Sequence, residues 1–107
     1  NMTLVSTANT ASGGAPTKGD LVATYTDYKG TASVGTDLKF YISRDGTNYT
    51  GPITMESQGT TGGHTILTAH DVSLTSASGT SMKWKIETLN QSASKVTRIH
   101  GISLGWS

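Results

Sequence analysis

The stretches Leu38-Lys-Phe-Tyr-Ile-Ser43 and Met82-Lys-Trp-Lys-Ile86 decide the fold. In both, large apolar side chains alternate with other residues, a period of two that predicts a β-strand with one buried face. We expect the apolar members of these runs, with two residues of the last strand, to form the core. These predicted core residues are Leu38, Phe40, Ile42, Met82, Trp84, Ile86, Ile102 and Leu104.

Turn signals divide the rest of the chain into further short strands. The sequence predicts a strand over 52–56, with Ile53 and Met55 on one face, and a glycine-rich mobile loop over 58–63. The last strand, 95–106, changes phase between Ile99 and Ile102, which predicts a β-bulge near His100-Gly101. No stretch has a helical period. The pattern predicts an all-β protein, an antiparallel β-sandwich or jelly roll of about seven or eight strands.

The chain length of 107 residues indicates one domain. We predict an N-terminal strand, arm and linker over residues 1–18 and a β-sandwich domain over residues 19–107. The linker interpretation rests on the polar, Gly- and Pro-containing segment 9–20. Because the chain begins with Asn1, we expect it to be processed, tagged or cut from a longer protein.

The composition excludes several classes of function. Charged residues are only 14% and the formal net charge is +1, so no field suited to nucleic acid is present. No apolar run approaches the roughly 18–20 residues of a membrane span, so we expect no membrane insertion. The chain has no cysteine, which rules out disulfides and thiolate chemistry. Its 19 Thr, 13 Ser and 13 Gly favour strands and turns.

The segment from Ser43 to Tyr49 resembles the Asp-box hairpin, although it is one residue short and ends in Tyr rather than Trp. In such a turn the aspartate accepts backbone N–H groups and the glycine adopts a positive φ, so its main role is structural. The same hairpin also supplies the candidate ligand-binding residues. These are Tyr41 and Tyr49, which offer flat apolar faces, and Arg44 and Asp45, which offer directed hydrogen bonds.

Catalytic and metal-binding patterns are absent from the sequence. His64, His70 and His100 are far apart along the chain, and although His64 and His70 could approach each other across a loop, no carboxylate pair at ligand spacing joins them. We expect all three to be partly exposed histidines at strand edges. No Gly-x-Ser-x-Gly elbow or phosphate-binding loop occurs. We therefore expect no catalytic residue, no bound metal and no cofactor, and we predict that the protein is not an enzyme.

Three segments, in order, resemble a β-sandwich domain at the C-terminal end of tail-fibre-like appendage proteins of tailed bacteriophages, especially marine phages. They are Asp37-Leu-Lys-Phe-Tyr-Ile-Ser-Arg-Asp-Gly46, Gly79-Thr-Ser-Met-Lys-Trp-Lys-Ile-Glu-Thr88 and Arg98-Ile-His-Gly-Ile-Ser-Leu-Gly-Trp106. The resemblance spans residues 19–106. It implies a virion surface module without catalytic activity, assembled as a homotrimer with other virion proteins. It supplies no ligand residue that can be assigned position by position.

The resulting hypothesis is a module on the virion surface that attaches weakly and in many copies to a host surface polysaccharide or protein. Two alternatives share the same fold class. One is a carbohydrate-binding module of a secreted protein, and the other is a purely structural decoration of a capsid or tail. An enzyme is the least favoured class.

Overall fold

The computed structural model describes residues 2–76 and 78–107, with the backbone alone at Thr61. Within this part of the chain, all regular structure is β, and no helix with the length and hydropathy needed to cross a bilayer occurs. The strands are β1 (Met2–Val5), β2 (Asn9–Thr10), β3 (Lys18–Lys29), β4 (Leu38–Ser43), β5 (Tyr49–Thr50), β6 (Glu56–Thr61), β7 (His64–Ser73), β8 (Ser81–Thr88) and β9 (Val96–Trp106).

The strands form two antiparallel sheets that share one core, as the alternating runs predicted. The first sheet has the order β1-β8-β4-β5, with β2 also paired to β8, and the second has the order β6-β7-β3-β9. The nine strands exceed the predicted seven or eight because β2 and β5 are each only two residues long.

The two alternating runs supply the centre of the core. All of their apolar residues except Trp84 are fully buried, and they pack with buried residues of the second sheet such as Leu21, Tyr25 and Leu67. Trp84, Ile102 and Leu104 were expected to be buried but are only partly so, and they pack at the margin of the core. An indole is rarely covered completely because it is large. The other two residues lie on β9, which forms an edge of its sheet.

The predicted bulge in the last strand is present. Thr24 is opposite Gly101 and Tyr25 is opposite Ile99, so His100 is the extra residue of β9. Both Ile99 and Ile102 pack against the core as a result.

Two local predictions are wrong. Residues 52–55 form no strand, although Ile53 and Met55 are buried and the Ile53 N–H donates to the Phe40 carbonyl at 2.8 Å. The alternation of Ile53 and Met55 therefore predicted burial correctly, but the segment does not pair with a neighbouring strand. The predicted loop over 58–63 is instead most of β6 and its turn into β7. Gly62 and Gly63 both have positive φ, as a two-residue hairpin turn requires. The strand was missed because its residues are all polar or glycine, so it has no apolar alternation.

The predicted arm of residues 1–18 contacts the sandwich along its length. β1 and β2 both pair with β8, and Ala11 and Pro16 are buried. The Thr17 and Lys18 N–H groups donate to the Ser107 carbonyl at 3.0 and 3.2 Å. The arm therefore completes the first sheet on the side of β8 that faces away from β4.

Candidate binding face

The outer face of the first sheet carries the side chains that alternate with the core residues. On β4 this places Tyr41 outward, and on β8 it places Lys85 and Glu87 outward. The antiparallel register sets Tyr41 directly opposite Lys85, and the short β5 brings Tyr49 opposite Ser43, one position along the same face. We call Tyr41, Tyr49, Lys85 and Glu87 the tyrosine face.

Lys85 lies between the two predicted tyrosines. Its Nζ is 4.4 Å from the centroid of the Tyr41 ring and 4.5 Å from that of the Tyr49 ring. A cation at this distance from an aromatic ring is attracted by the ring quadrupole. The lysine thereby holds both rings in one patch of the surface.

Glu87 follows Lys85 on the same face of β8 and lies diagonally across the strand pair from Tyr41. Burial, followed by the nearby Glu87 carboxylate, raises the pKa of Tyr41 to about 12. The phenol therefore stays neutral at any physiological pH. The Glu87 carboxylate adds a hydrogen-bond acceptor beside the tyrosine rings.

The Tyr41 ring also depends on a glycine. A Cβ on Gly51 would lie 2.6 Å from Tyr41 Cδ2 and 2.8 Å from the Phe40 carbonyl oxygen, and Gly51 has a φ of +145°. The ring thus rests on backbone that only glycine leaves open. On the far side of β8, the exposed Val5 of β1 lies opposite Lys85 and extends the apolar surface.

The other two predicted site residues do not join this face. Asp45 turns back into its own hairpin, where Oδ1 accepts from the Thr47 and Asn48 N–H groups at 2.8 and 2.7 Å, and Oδ2 accepts from the Asn48 side chain. These bonds hold the pKa of the Asp45 carboxyl well below its usual range. With Gly46 at a φ of +81°, they form the predicted Asp-box-like turn.

Arg44 is half-buried and tethers loops. Its guanidinium donates to the Pro16 carbonyl at 3.0 Å and to the Ser76 carbonyl, joining the N-terminal loop to the loop before β8. Nε of Arg44 is buried without a hydrogen-bond partner among the described residues. Arg44 and Asp45 therefore position the hairpin that carries Tyr49.

Lys85 and Glu87 were missed by the sequence interpretation. Their alternation with Met82, Trp84 and Ile86 predicts that they face outward. They lie beside Tyr41 because β4 pairs with β8 in a particular register. A pattern within one strand does not predict that register.

The face combines two aromatic rings, an ammonium donor group and a carboxylate acceptor, all of them half-buried on the outer side of the first sheet. Among the described residues, no group of three or more His, Asp or Glu side chains could hold a metal ion. Comparison with protein-family models, curated proteins and solved structures gives no match to this chain.

Proposed function

We propose that the protein is a non-catalytic surface module of a bacteriophage virion that attaches to a bacterial surface polysaccharide through the tyrosine face. The observation that carries the proposal is the cluster of two tyrosine rings around Lys85, with the Glu87 carboxylate beside Tyr41. Aromatic faces pack against the apolar face of a sugar ring, and the adjacent charged groups hydrogen-bond its hydroxyls.

The shape of the face fits weak binding by many copies. A sheet surface without a deep cleft buries little of a ligand, so each copy binds weakly. Display of many copies on a particle raises avidity by about 10²–10⁴ without any new contact. Lysines at 39, 83 and 85 outnumber Glu87 on this surface, which favours a polysaccharide that carries acidic groups.

The test uses the chain displayed in many copies on beads and applied to arrayed bacterial polysaccharides, acidic and neutral. Tyr41→Ala/Tyr49→Ala is expected to abolish binding that the parent shows, because the stacking surface is lost. Tyr28→Ala is the matched control, since Tyr28 is an exposed tyrosine on the other sheet and lies against Arg98. Circular dichroism checks that each variant keeps its β structure.

Two results would redirect the proposal. If the folded double variant binds like the parent, the tyrosine face is not the site. If the displayed parent binds no polysaccharide and no host cell, a structural decoration of the particle replaces attachment. Genes for portal, capsid and terminase beside the gene for this chain are expected, whereas genes for a secreted enzyme would favour the carbohydrate-binding module.

A further inference from the structure

The outer face of the second sheet brings together two histidines that are 36 positions apart in the sequence. His64 is the first residue of β7 and His100 is the bulge residue of β9, and β3 lies between these strands. The two imidazole ring centroids are 3.9 Å apart, with their planes inclined by 40°. The sequence indicated an approach of His64 to His70 across a loop and gave no sign of this pairing with His100.

The β-bulge is what brings His100 to this face. In strict alternation with the core residue Ile102, His100 would point into the sandwich. The extra residue lets Ile99 and Ile102 both face the core and leaves the His100 side chain exposed. Bulges commonly re-aim a side chain in this way beside functional sites.

Thr26 of β3 fixes the orientation of the exposed ring. Its Oγ1 lies 2.7 Å from His100 Nε2, so the hydroxyl accepts when that nitrogen carries the proton. Nδ1 of His100 then presents its lone pair. A hydrogen bond on the other ring nitrogen is the usual way in which proteins orient a metal-binding histidine.

We propose that His64 and His100 are the protein ligands of an open site for a divalent transition-metal ion of the zinc, nickel and copper class. Neutral imidazole suits these ions, and metal–nitrogen distances of about 2.0–2.1 Å place two ligand nitrogens roughly 3 Å apart. The two rings, with centroids 3.9 Å apart, must rotate apart so that one nitrogen of each points at the shared ion. Water or an external group fills the remaining positions, because the described residues supply no third ligand.

This site is independent of the tyrosine face, which lies on the other sheet. An ion held by His64 and His100 joins β7 to β9 across β3, a link that the unfolded chain lacks. Binding to the folded state alone raises the apparent stability by mass action. The metal is therefore detectable without any knowledge of the biological ligand of the protein.

The test is thermal unfolding and isothermal titration of the chain with NiCl₂ or ZnCl₂, against a sample in EDTA. The parent is expected to bind one ion and to melt at a higher temperature with metal. His64→Ala and His100→Ala are expected to lose both effects. His70→Ala is the matched control and keeps them, since His70 is exposed and lies beside Asp20 instead. Thr26→Val is expected to weaken binding by roughly tenfold.

A measurement on the parent alone guards against variants that fail to fold. Substoichiometric Cu²⁺ is expected to broaden the imidazole proton resonances of His64 and His100 before those of His70. Equal broadening of all three histidines would overturn the proposal. So would loss of binding in His70→Ala, or parental affinity in folded His64→Ala.

Discussion

Asp37 joins the loop before β4 to the loop between β8 and β9. Its carboxylate accepts from Lys95 Nζ at 2.5 Å, the Ser33 N–H at 2.8 Å and the Asn90 side chain at 2.7 Å. These bonds, led by that from Lys95, lower the pKa of Asp37 from 3.8 to about 2. The carboxylate is only 4% exposed, so its charge depends on these partners.

The lowered pKa predicts a specific loss of stability in acid. The unfolded chain binds a proton at Asp37 more readily than the folded chain does, so the stabilisation is complete above the unfolded pKa near 4. It is lost as the pH falls through the folded value near 2. Asp37→Asn is expected to lower the free energy of unfolding at neutral pH. The difference in free energy of unfolding between variant and parent, measured by urea titration, is expected to shrink as the pH falls from about 4 to about 2.

The control for this change is Asp71→Asn. Asp71 is exposed and has a φ of +53°, a conformation that asparagine also adopts. Its stability at neutral pH is expected to lie within about 0.5 kcal/mol of the parent. A gap between Asp37→Asn and the parent that stays constant from neutral pH to pH 2 would show that the ion pair contributes nothing through its charge.

At the scale of elements, the Asp-box-like hairpin is packed against the loop that leads into β8. A Cβ on Gly79 would lie 2.6 Å from the Arg44 carbonyl oxygen and 3.1 Å from Asp45 Cα, both backbone atoms. The Ser81 N–H donates to the same Arg44 carbonyl at 2.8 Å. The hairpin that carries Tyr49 thus depends on a close backbone contact.

Gly79→Ala is therefore expected to destabilise the protein by about 1–3 kcal/mol, since neither backbone segment can yield without loss of its hydrogen bonds. The measurement is the urea midpoint. Gly13→Ala is the matched control, because its Cβ would meet nothing within 4 Å. It is expected to match or slightly exceed the parent. Equal midpoints for both variants would mean that the hairpin and the loop move apart freely.

Elements with an apolar period were predictable from the sequence, and elements without one were not. The runs around Phe40 and Ile86 fixed two strands and most of the core, and the phase change at Ile99 located the bulge. The polar β6 was missed because its position depends on pairing with β7. The candidate site was predictable only in part for the same reason. The alternation along β4 predicts that Tyr41 faces outward. That Lys85 lies beside Tyr41, and His64 beside His100, follows only from how the strands pair, which the sequence pattern does not contain.

At the scale of the whole molecule, β9 is the feature that favours assembly. Among the described residues this strand of 11 residues pairs only with β3, so one of its edges is open. Ile102, Leu104 and Trp106 along it are only partly buried. A long edge strand with apolar residues is a surface on which another chain can pair. The open edge of β9 offers a place for a second chain to pair, whereas the number of three copies comes from the family resemblance alone.

We predict that the full native protein sediments as a trimer at tens of micromolar. Ser103→Lys is expected to shift the assembly toward monomer, because a charge on the open edge of β9 opposes pairing with a second chain. Thr60→Lys places the same charge on β6, the other edge of the sheet, and is expected to leave the trimer intact. A monomeric parent would remove the assembly proposal. If Ser103→Lys leaves the trimer intact, the subunit interface does not lie on the open edge of β9. Binding through the tyrosine face would then be tested with the copies arranged around a different interface.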